Sequence, residues 1–363
     1  MRRERQPLLI AQTQPGFEAI AADEIAGRLG GAVVRGTRTV GDKNGMVLFD
    51  YVGGADGLFG LRTVEDLFVV VAELPDVPPT REGLRALESA AARAAGVEAG
   101  LNLARRVAPG RGGRGGVRFR VVARQVGRAA YRRGEAQRAV EQGIAARRDH
   151  RWRPVEEGGL EFWLTLLRGE GFLALRLSDE GMRHRGYRRE HLPASLRPSA
   201  AAAMVWLTRP APGDVFLDPM CGAGTILIER ACAGRYALLL GGDVRPEAVA
   251  ATLSNVGPRY KPIEVRRWDA RQLPLDGGSV SAAAVNLPFG RQLGTPEENL
   301  ALYPAFLREA ARVLRPKARL VALTGDARAF EQGLQRCAGL ARRETRRVQV
   351  LGQRAQVYVV ERV

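Results

Sequence analysis

Apolar and polar positions along the chain fall into two regimes. Over the first 177 residues, short apolar runs mix with isolated helical periods. Residues 8–12 read as a strand. Ile20, Ala21, Ile25 and Leu29 then recur at the spacing of one helix face across 17–29, and Gly30-Gly31 closes that helix. Residues 32–34 and 45–51 read as strands about the turn Asp42-Lys43-Asn44-Gly45, and 66–74 as a buried strand that Pro75 ends. Thr80 is a candidate N-cap for an Ala-rich helix over 80–95. The run PGRGGRGG at 109–116 reads as a flexible loop. A strand at 117–123, a helix at 135–147 and two strands within 159–177, turned at Gly169-Glu170-Gly171, follow it.

A polar stretch, 178–198, is rich in Arg and His and broken by Pro193 and Pro198, and it reads as an interdomain linker. Beyond it the pattern changes to strict alternation. Strands are expected at 214–217, 236–242, 263–267, 281–286 and 319–324, with helices at 199–207, 225–233, 245–255 and 298–313. A hairpin over 346–351 and 356–360 closes the chain. Repeated strand–helix units imply a doubly wound, mostly parallel sheet whose ligands sit at the carboxyl ends of the strands.

Composition narrows the class. The chain has 363 residues with 45% hydrophobic and 26% charged positions, enough for a packed core. No apolar run approaches the roughly 18–20 residues that span a bilayer, which excludes a helical membrane protein. The apolar patch behind Met1-Arg2-Arg3-Glu4-Arg5 is far shorter than a signal-peptide core, and Cys221, Cys232 and Cys337 suit neither a metal clip nor a disulfide framework. A cytoplasmic protein is expected.

Charge adds a partner. The formal net charge is +17, and 53 of the 56 basic residues are arginine. Genome composition explains arginine over lysine but not where the excess lies: residues 101–155 hold 15 bases against three acids. Such local density attracts polyanions through counterion release, so nucleic acid is the expected partner. Arg105, Arg106, Arg118, Arg120, Arg124, Arg128, Arg132 and Arg133 are the candidate RNA-binding residues, with Arg114 in the loop before them.

The chemistry is concentrated at the strand ends of the second half. In Val215-Phe216-Leu217-Asp218-Pro219-Met220-Cys221-Gly222-Ala223-Gly224-Thr225, a buried strand ends at Asp218 and a Gly-rich turn leads into a helix. The third glycine of a dinucleotide fingerprint falls on Leu227, so that motif fails. An acid at the strand end disfavours a pyrophosphate and suits a cofactor with positive charge, and S-adenosylmethionine carries both a sulfonium and an ammonium. Asp243 closes the second strand, where an acid can bind ribose hydroxyls, with Val244 beside it. Asp269 closes the third within reach of an adenine amine, with Ala270 beside it. One such Asp is commonly a helix cap, but three in succession beside a Gly turn point to a ligand.

The fourth strand ends in Asn286-Leu287-Pro288-Phe289-Gly290. An exocyclic base amine is a poor nucleophile because its lone pair is delocalised into the ring. The Asn286 amide oxygen and the Leu287 carbonyl can accept its two hydrogens, while Phe289 stacks on the base. The base must first leave any stack. This cradle fits the N2 amine of guanine or the N6 amine of adenine. A third reading is an RNA-binding protein with a vestigial cofactor site. His150, His184 and His191 are scattered, and no metal is expected.

These motifs carry a resemblance. The C-terminal half resembles class I S-adenosylmethionine-dependent methyltransferases that modify amines, whose fourth motif is usually Asp/Asn-Pro-Pro-Tyr/Phe. The stretch VRFRVVARQVGRAAYRRGEAQRAVEQGIAARR, then His184-Arg185-Gly186-Tyr187-Arg188-Arg189 and Leu196-Arg197-Pro198, make the N-terminal half similar to a THUMP RNA-binding domain behind a small ferredoxin-like domain. The resemblance covers nearly the whole chain. It implies an α+β ferredoxin-like domain at 1–60, a THUMP domain at 61–177, a linker at 178–198 and a Rossmann-like methyltransferase domain at 199–363. It also implies an enzyme that makes N2-methylguanosine in tRNA or ribosomal RNA, with tRNA the expected substrate; a monomer is expected. The variant Asn-Leu-Pro-Phe-Gly is most similar to the branch that methylates guanosine six of the acceptor stem. By the same resemblance Asp218, Pro219, Gly222, Gly224 and Thr225 hold the methionine part, Asp243 and Val244 the ribose, and Asp269 and Ala270 the adenine. Asn286, Leu287, Pro288 and Phe289 hold the target guanine, and the basic stretch grips the acceptor end through its phosphates.

Overall fold

Residues 6–41, 43–107, 116–290 and 294–363 are described by the computed structural model. The expected loop at 109–116, with Arg114, and Asp42 of the first turn lie largely or wholly outside these residues. The described chain divides into two units. One joins the segment ending at Gln12 to Ile25–Met182, and the other joins Thr13–Glu24 to Arg183–Val363.

The first unit is built on strands β1 (Leu8–Thr13), β2 (Val33–Val40), β3 (Asn44–Asp50), β4 (Asp66–Leu74), β5 (Val117–Val126), β6 (Trp152–Pro154), β7 (Leu160–Leu167) and β8 (Glu170–Arg176). They form one sheet in the order β2-β3-β1-β4-β8-β7-β5-β6. Its helices are α1 (Glu18–Arg28), whose first turns belong to the other unit, α2 (Ala55–Phe59), α3 (Glu82–Ala92), α4 (Val97–Val107), α5 (Arg133–Ala145) and α6 (Glu180–His184), which ends in the other unit. Alternation shapes β5: Val117, Phe119, Val121 and Ala123 are buried, so Arg118, Arg120 and Arg124 share the opposite face.

The second unit holds β9 (Val215–Asp218), β10 (Leu238–Asp243), β11 (Ile263–Arg267), β12 (Val280–Asn286), β13 (Leu314–Thr324), β14 (Leu340–Val350) and β15 (Gln353–Arg362). Its helices are α7 (Pro198–Leu207), α8 (Thr225–Ala233), α9 (Pro246–Val256), α10 (Pro296–Val313) and α11 (Ala327–Gln335). The sheet runs β11-β10-β9-β12-β13-β15-β14, parallel except for β15, which pairs antiparallel with both neighbours. It is a Rossmann-like, doubly wound sheet of the class I methyltransferase type with an antiparallel terminal hairpin. Strand order reverses between β9 and β12, and the carboxyl ends flanking that switch are where such sheets bind ligands.

Two apolar clusters cover the faces of this sheet. One includes Phe17 and Ile20 from the N-terminal segment, packed with Met204, Phe216 and Val348, and Gln349 N donates to Pro15 O (2.9 Å). The polar stretch before α7 is also tied in. Tyr187 Oη donates to Glu229 Oε1 (2.6 Å), and the Arg189 and Glu190 amides both donate to Asn255 Oδ1 (2.8 Å each).

Candidate active site

Asp218 ends β9, and the chain then turns through Gly222 (φ +53°) and Gly224 (φ +80°) into α8. Both glycines occupy left-handed backbone, which disfavours a side chain. Their surroundings differ. A Cβ at 222 would meet no heavy atom within 4 Å, whereas one at 224 would lie 2.9 Å from Thr252 Cγ2. Gly222 thus leaves an open cradle, and Gly224 lets the start of α8 close on α9. Gly222 N donates to Asp243 Oδ2 (3.1 Å), which ties the ends of β9 and β10 together.

A cavity of about 280 Å³ opens over these ends. Asp218, Gly222 and Thr225 line it from the first turn, and Asp243 and Val244 from the end of β10. Asn286, Leu287, Pro288 and Phe289 line it from the end of β12. Pro219, Gly224, Asp269 and Ala270 are not among the lining residues. Pro219 O accepts from Trp268 Nε1 (3.0 Å), and Gly224 is occupied with Thr252. The Asp269 carboxylate is captured by Arg271, two residues on, through Nη2 (2.6 Å), Nε and the backbone amide, and these bonds hold its pKa below the usual range. Asp269 is thus bonded to Arg271 just past the end of β11.

Asp218 is almost fully buried, and its one hydrogen bond among the described residues is long, from Met220 N (3.3 Å). Burial pushes its carboxyl well above the ordinary range; the Met220 bond opposes this and the nearby Asp243 carboxylate adds to it. Such an acid lacks a counter-charge, and a cation entering the cavity supplies one. Asp243 is already committed to Gly222 N, Arg245 N (3.1 Å) and Arg245 Nε (3.3 Å).

Asn286 Nδ2 donates a long bond to Ala194 O (3.4 Å), while Oδ1 is buried with no partner. Ala194 has φ +60° in a turn where Ser195 N donates to Leu192 O (3.2 Å) and Leu192 N to Ser195 Oγ (3.3 Å). The turn thus directs one face of the amide and leaves the oxygen as an unused acceptor in the cavity wall. Leu287 N donates to Leu323 O (2.9 Å), a bond that proline at this position could not make. Pro288 O accepts from Tyr303 Oη (2.5 Å), which also bonds Thr324 Oγ1 (2.8 Å). Phe289 lies against Gly325, where a Cβ would fall 2.6 Å from the ring. Val244 and Leu351, exposed by 56% and 46%, place apolar surface at the mouth. Sequence reasoning missed Ala194, Tyr303 and Leu351. Only Leu351 carried a signal, as an apolar residue in a hairpin turn.

In the first unit, Arg105, Arg106, Arg118, Arg128, Arg132 and Arg133 are exposed. Arg120 pairs with Glu161, and Arg124 sits 4.1 Å from the centre of the Trp163 ring and donates to Gln12 Oε1 (2.6 Å). The charge of those two is engaged inside the unit, because Arg120 stands opposite Glu161 on β7 and Arg124 lies over the Trp163 ring of the same strand. Among the described residues, no three His, Cys, Asp or Glu side chains gather where a metal could bind. No helix among them is long and apolar enough to cross a membrane.

The glycine turn, the strand-end acids and the Asn-Leu-Pro-Phe cradle coincide with a family match over residues 185–356, described as "UPF0020: RMKL-like, methyltransferase domain". The matched residues take in β9 to β14 and most of the second unit. The chain is also similar to a bovine (Bos taurus) relative named tRNA (guanine(6)-N(2))-methyltransferase THUMP3. The two are 34% identical over 218 residues, covering 56% of this chain and 43% of the relative, so the chain matches less than half of that protein's length. A Thermus thermophilus protein named tRNA (guanine(6)-N2)-methyltransferase is 29% identical over 98% of this chain and 99% of its own. The crystal structure of TrmN from Thermus thermophilus matches 98% of this chain and 100% of its own, with a TM-score of 0.79 at 26% identity.

Proposed function

We propose that the protein transfers a methyl group from S-adenosylmethionine to the exocyclic N2 amine of a guanosine in tRNA, at position six of the acceptor stem, giving N2-methylguanosine. The observation that carries the reading is the buried, unpartnered Asn286 Oδ1 in the cavity wall. A buried acceptor without a donor costs free energy, and a base amine supplies the donor. With its second hydrogen on the Leu287 carbonyl, the nitrogen is drawn out of conjugation and its lone pair is aimed into the cavity. Phe289, braced by Gly325, offers its ring to the base.

The cofactor, when bound, supplies an electrophilic methyl group on sulfur. The residues present fit it: the Asp218 carboxyl lacks a counter-charge, and the space beside Gly222 admits a ligand against the backbone. Asp243 and Val244 border the position expected for the ribose. The names of the bovine and Thermus relatives, both specifying guanine six of tRNA, support the substrate.

The same reading makes residues 1–60 a ferredoxin-like piece and 61–177 a THUMP-type RNA-binding domain. There Arg105, Arg106, Arg118, Arg128, Arg132 and Arg133 grip phosphates without reading sequence. The protein works as a monomer in the cytoplasm, where its tRNA substrate is found. Nucleoside analysis of a tRNA transcript incubated with the protein and labelled S-adenosylmethionine tests it. Label in N2-methylguanosine at position six is expected. Label in N6-methyladenosine redirects the cradle to adenine, and no transfer to any RNA refutes the enzyme.

A further inference from the structure

Beside the cavity lies a groove of about 480 Å³ that the reaction does not use. It belongs to the same unit, and the two hollows share a wall, since Phe289 of the cavity packs on Gly325 of the groove. Its flank is the hairpin β14–β15. In that antiparallel ladder Arg347 stands opposite Gln356 and Gln349 opposite Arg354. The intervening Val348 and Ala355 are buried in the core, so the two guanidinium groups and two amides share one face. All four residues line the groove, and no lining residue is acidic.

Neighbouring arginines of the hairpin are neutralised. Arg343 pairs with Glu361 (2.7 Å), Arg346 with Glu344 (2.5 Å) and Arg342 with Glu331 (3.7 Å). Arg347 and Arg354 are exposed and have no carboxylate partner among the described residues. Two unpaired guanidinium groups flanked by amides match a phosphodiester strand: the forks take phosphate oxygens, and the amides take ribose hydroxyls or base edges.

We propose that this groove holds the RNA strand next to the nucleotide whose base enters the cavity, with Arg347 and Arg354 on backbone phosphates. The inference rests on the tRNA reading above and extends it. The basic stretch of the first unit supplies affinity, while the groove fixes which nucleotide stands at Asn286. A strand anchored one wall away from the cavity also lowers the cost of holding a base out of its stack.

The test uses the full chain carrying Arg347→Glu and Arg354→Glu, with Arg347→Gln/Arg354→Gln as a milder pair. Arg266→Glu, on the far edge strand β11, is the control. Methyl transfer to a tRNA transcript gives KM and kcat, fluorescence anisotropy over a potassium chloride series gives the salt slope of RNA binding, and calorimetry gives S-adenosylmethionine affinity. The Glu pair is expected to raise KM for tRNA about tenfold or more. The salt slope should fall by about 1.4, two phosphates at roughly 0.7 each for a single strand. Cofactor affinity should stay put, which also reports that the fold is intact. If the Glu pair does not fold, the Gln pair is expected to give a smaller effect in the same direction. KM and slope equal to those of the control overturn the groove. A wild-type protein that binds RNA but methylates none would sink the tRNA reading, while the slope comparison still decides the groove.

Discussion

Tyr303→Phe isolates how the acceptor loop is held. The side chain is fully buried on α10. Its hydroxyl donates to Pro288 O at 2.5 Å and shares a bond with Thr324 Oγ1 at 2.8 Å, which in turn accepts from Asp326 N (2.9 Å). Burial raises the phenol pKa further above its already high ordinary value, so it remains a neutral donor throughout the working pH range. Phenylalanine keeps the ring and its edge contact with Phe330 (6.3 Å between centroids) but removes the hydroxyl. The half-buried Pro288 O then loses its donor, at a cost of about 1–3 kcal/mol. For a unit of this size, about 2–4 °C of melting temperature is lost per kcal/mol, so calorimetry should find a fall of roughly 2–12 °C. Pro288 follows the two acceptors in sequence, and its release lets them wander. If 1–2 kcal/mol of the cost is felt in the transition state, kcat falls about 5- to 30-fold. Single-turnover methyl transfer measures this, with cofactor affinity nearly unchanged because Asp218 and Gly222 sit on another strand. A melting temperature within about a degree of wild type and an unchanged rate would refute the reasoning.

Other substitutions probe the remaining parts of the site. Asn286→Ala removes the unpartnered acceptor and should cut kcat about 100-fold, by analogy with deleting one transition-state hydrogen bond, while calorimetry shows cofactor affinity intact. Asn286→Asp turns an oxygen towards Ala194 O; activity should be low at neutral pH and recover as pH falls and the carboxyl protonates, and a flat pH profile would remove Ala194 from the account. For Asp218, the folded-state pKa lies above the unfolded value, so the folded state holds the extra proton and stability drops as pH rises from the unfolded value through the raised one. Asp218→Asn should therefore raise the melting temperature at neutral pH while weakening cofactor binding, and it should abolish the tightening of wild-type cofactor binding with rising pH. Charge reversal at Arg118, Arg128 and Arg132 should weaken tRNA binding and flatten its salt dependence, whereas a wild-type slope would put the grip elsewhere.

The methyltransferase half was legible because each buried parallel strand is an apolar run stopped by an acid or amide at the sheet's edge. The helix expected at 225–233 and the strand at 263–267 coincide with α8 and β11. Other boundaries were hidden by polar residues. Strand β13 begins at Leu314, not 319, because Arg315 and Lys317 mask its first residues. Helix α4 went unread because Gly96 and Gly100 look like breakers, and β6 because it is three residues ending in proline at a sheet edge. In the site, side-chain types announced Asp218 and Asn286, but a backbone carbonyl such as that of Ala194 has no residue signature. The bond between Asp269 and Arg271 was likewise unannounced, since position at a strand end does not say which neighbour a carboxylate meets.

The short segment Thr13–Glu24 belongs to the second unit although the chain on both sides of it belongs to the first. Phe17 and Ile20 plug that unit's core, and Pro15 clips onto the strand that carries Arg347. A fragment starting at residue 183 would lack its own cork, leaving apolar surface around Met204 and Val348 open to water. Grafting this unit onto another domain therefore requires transplanting a dozen residues from the far end of the gene along with it.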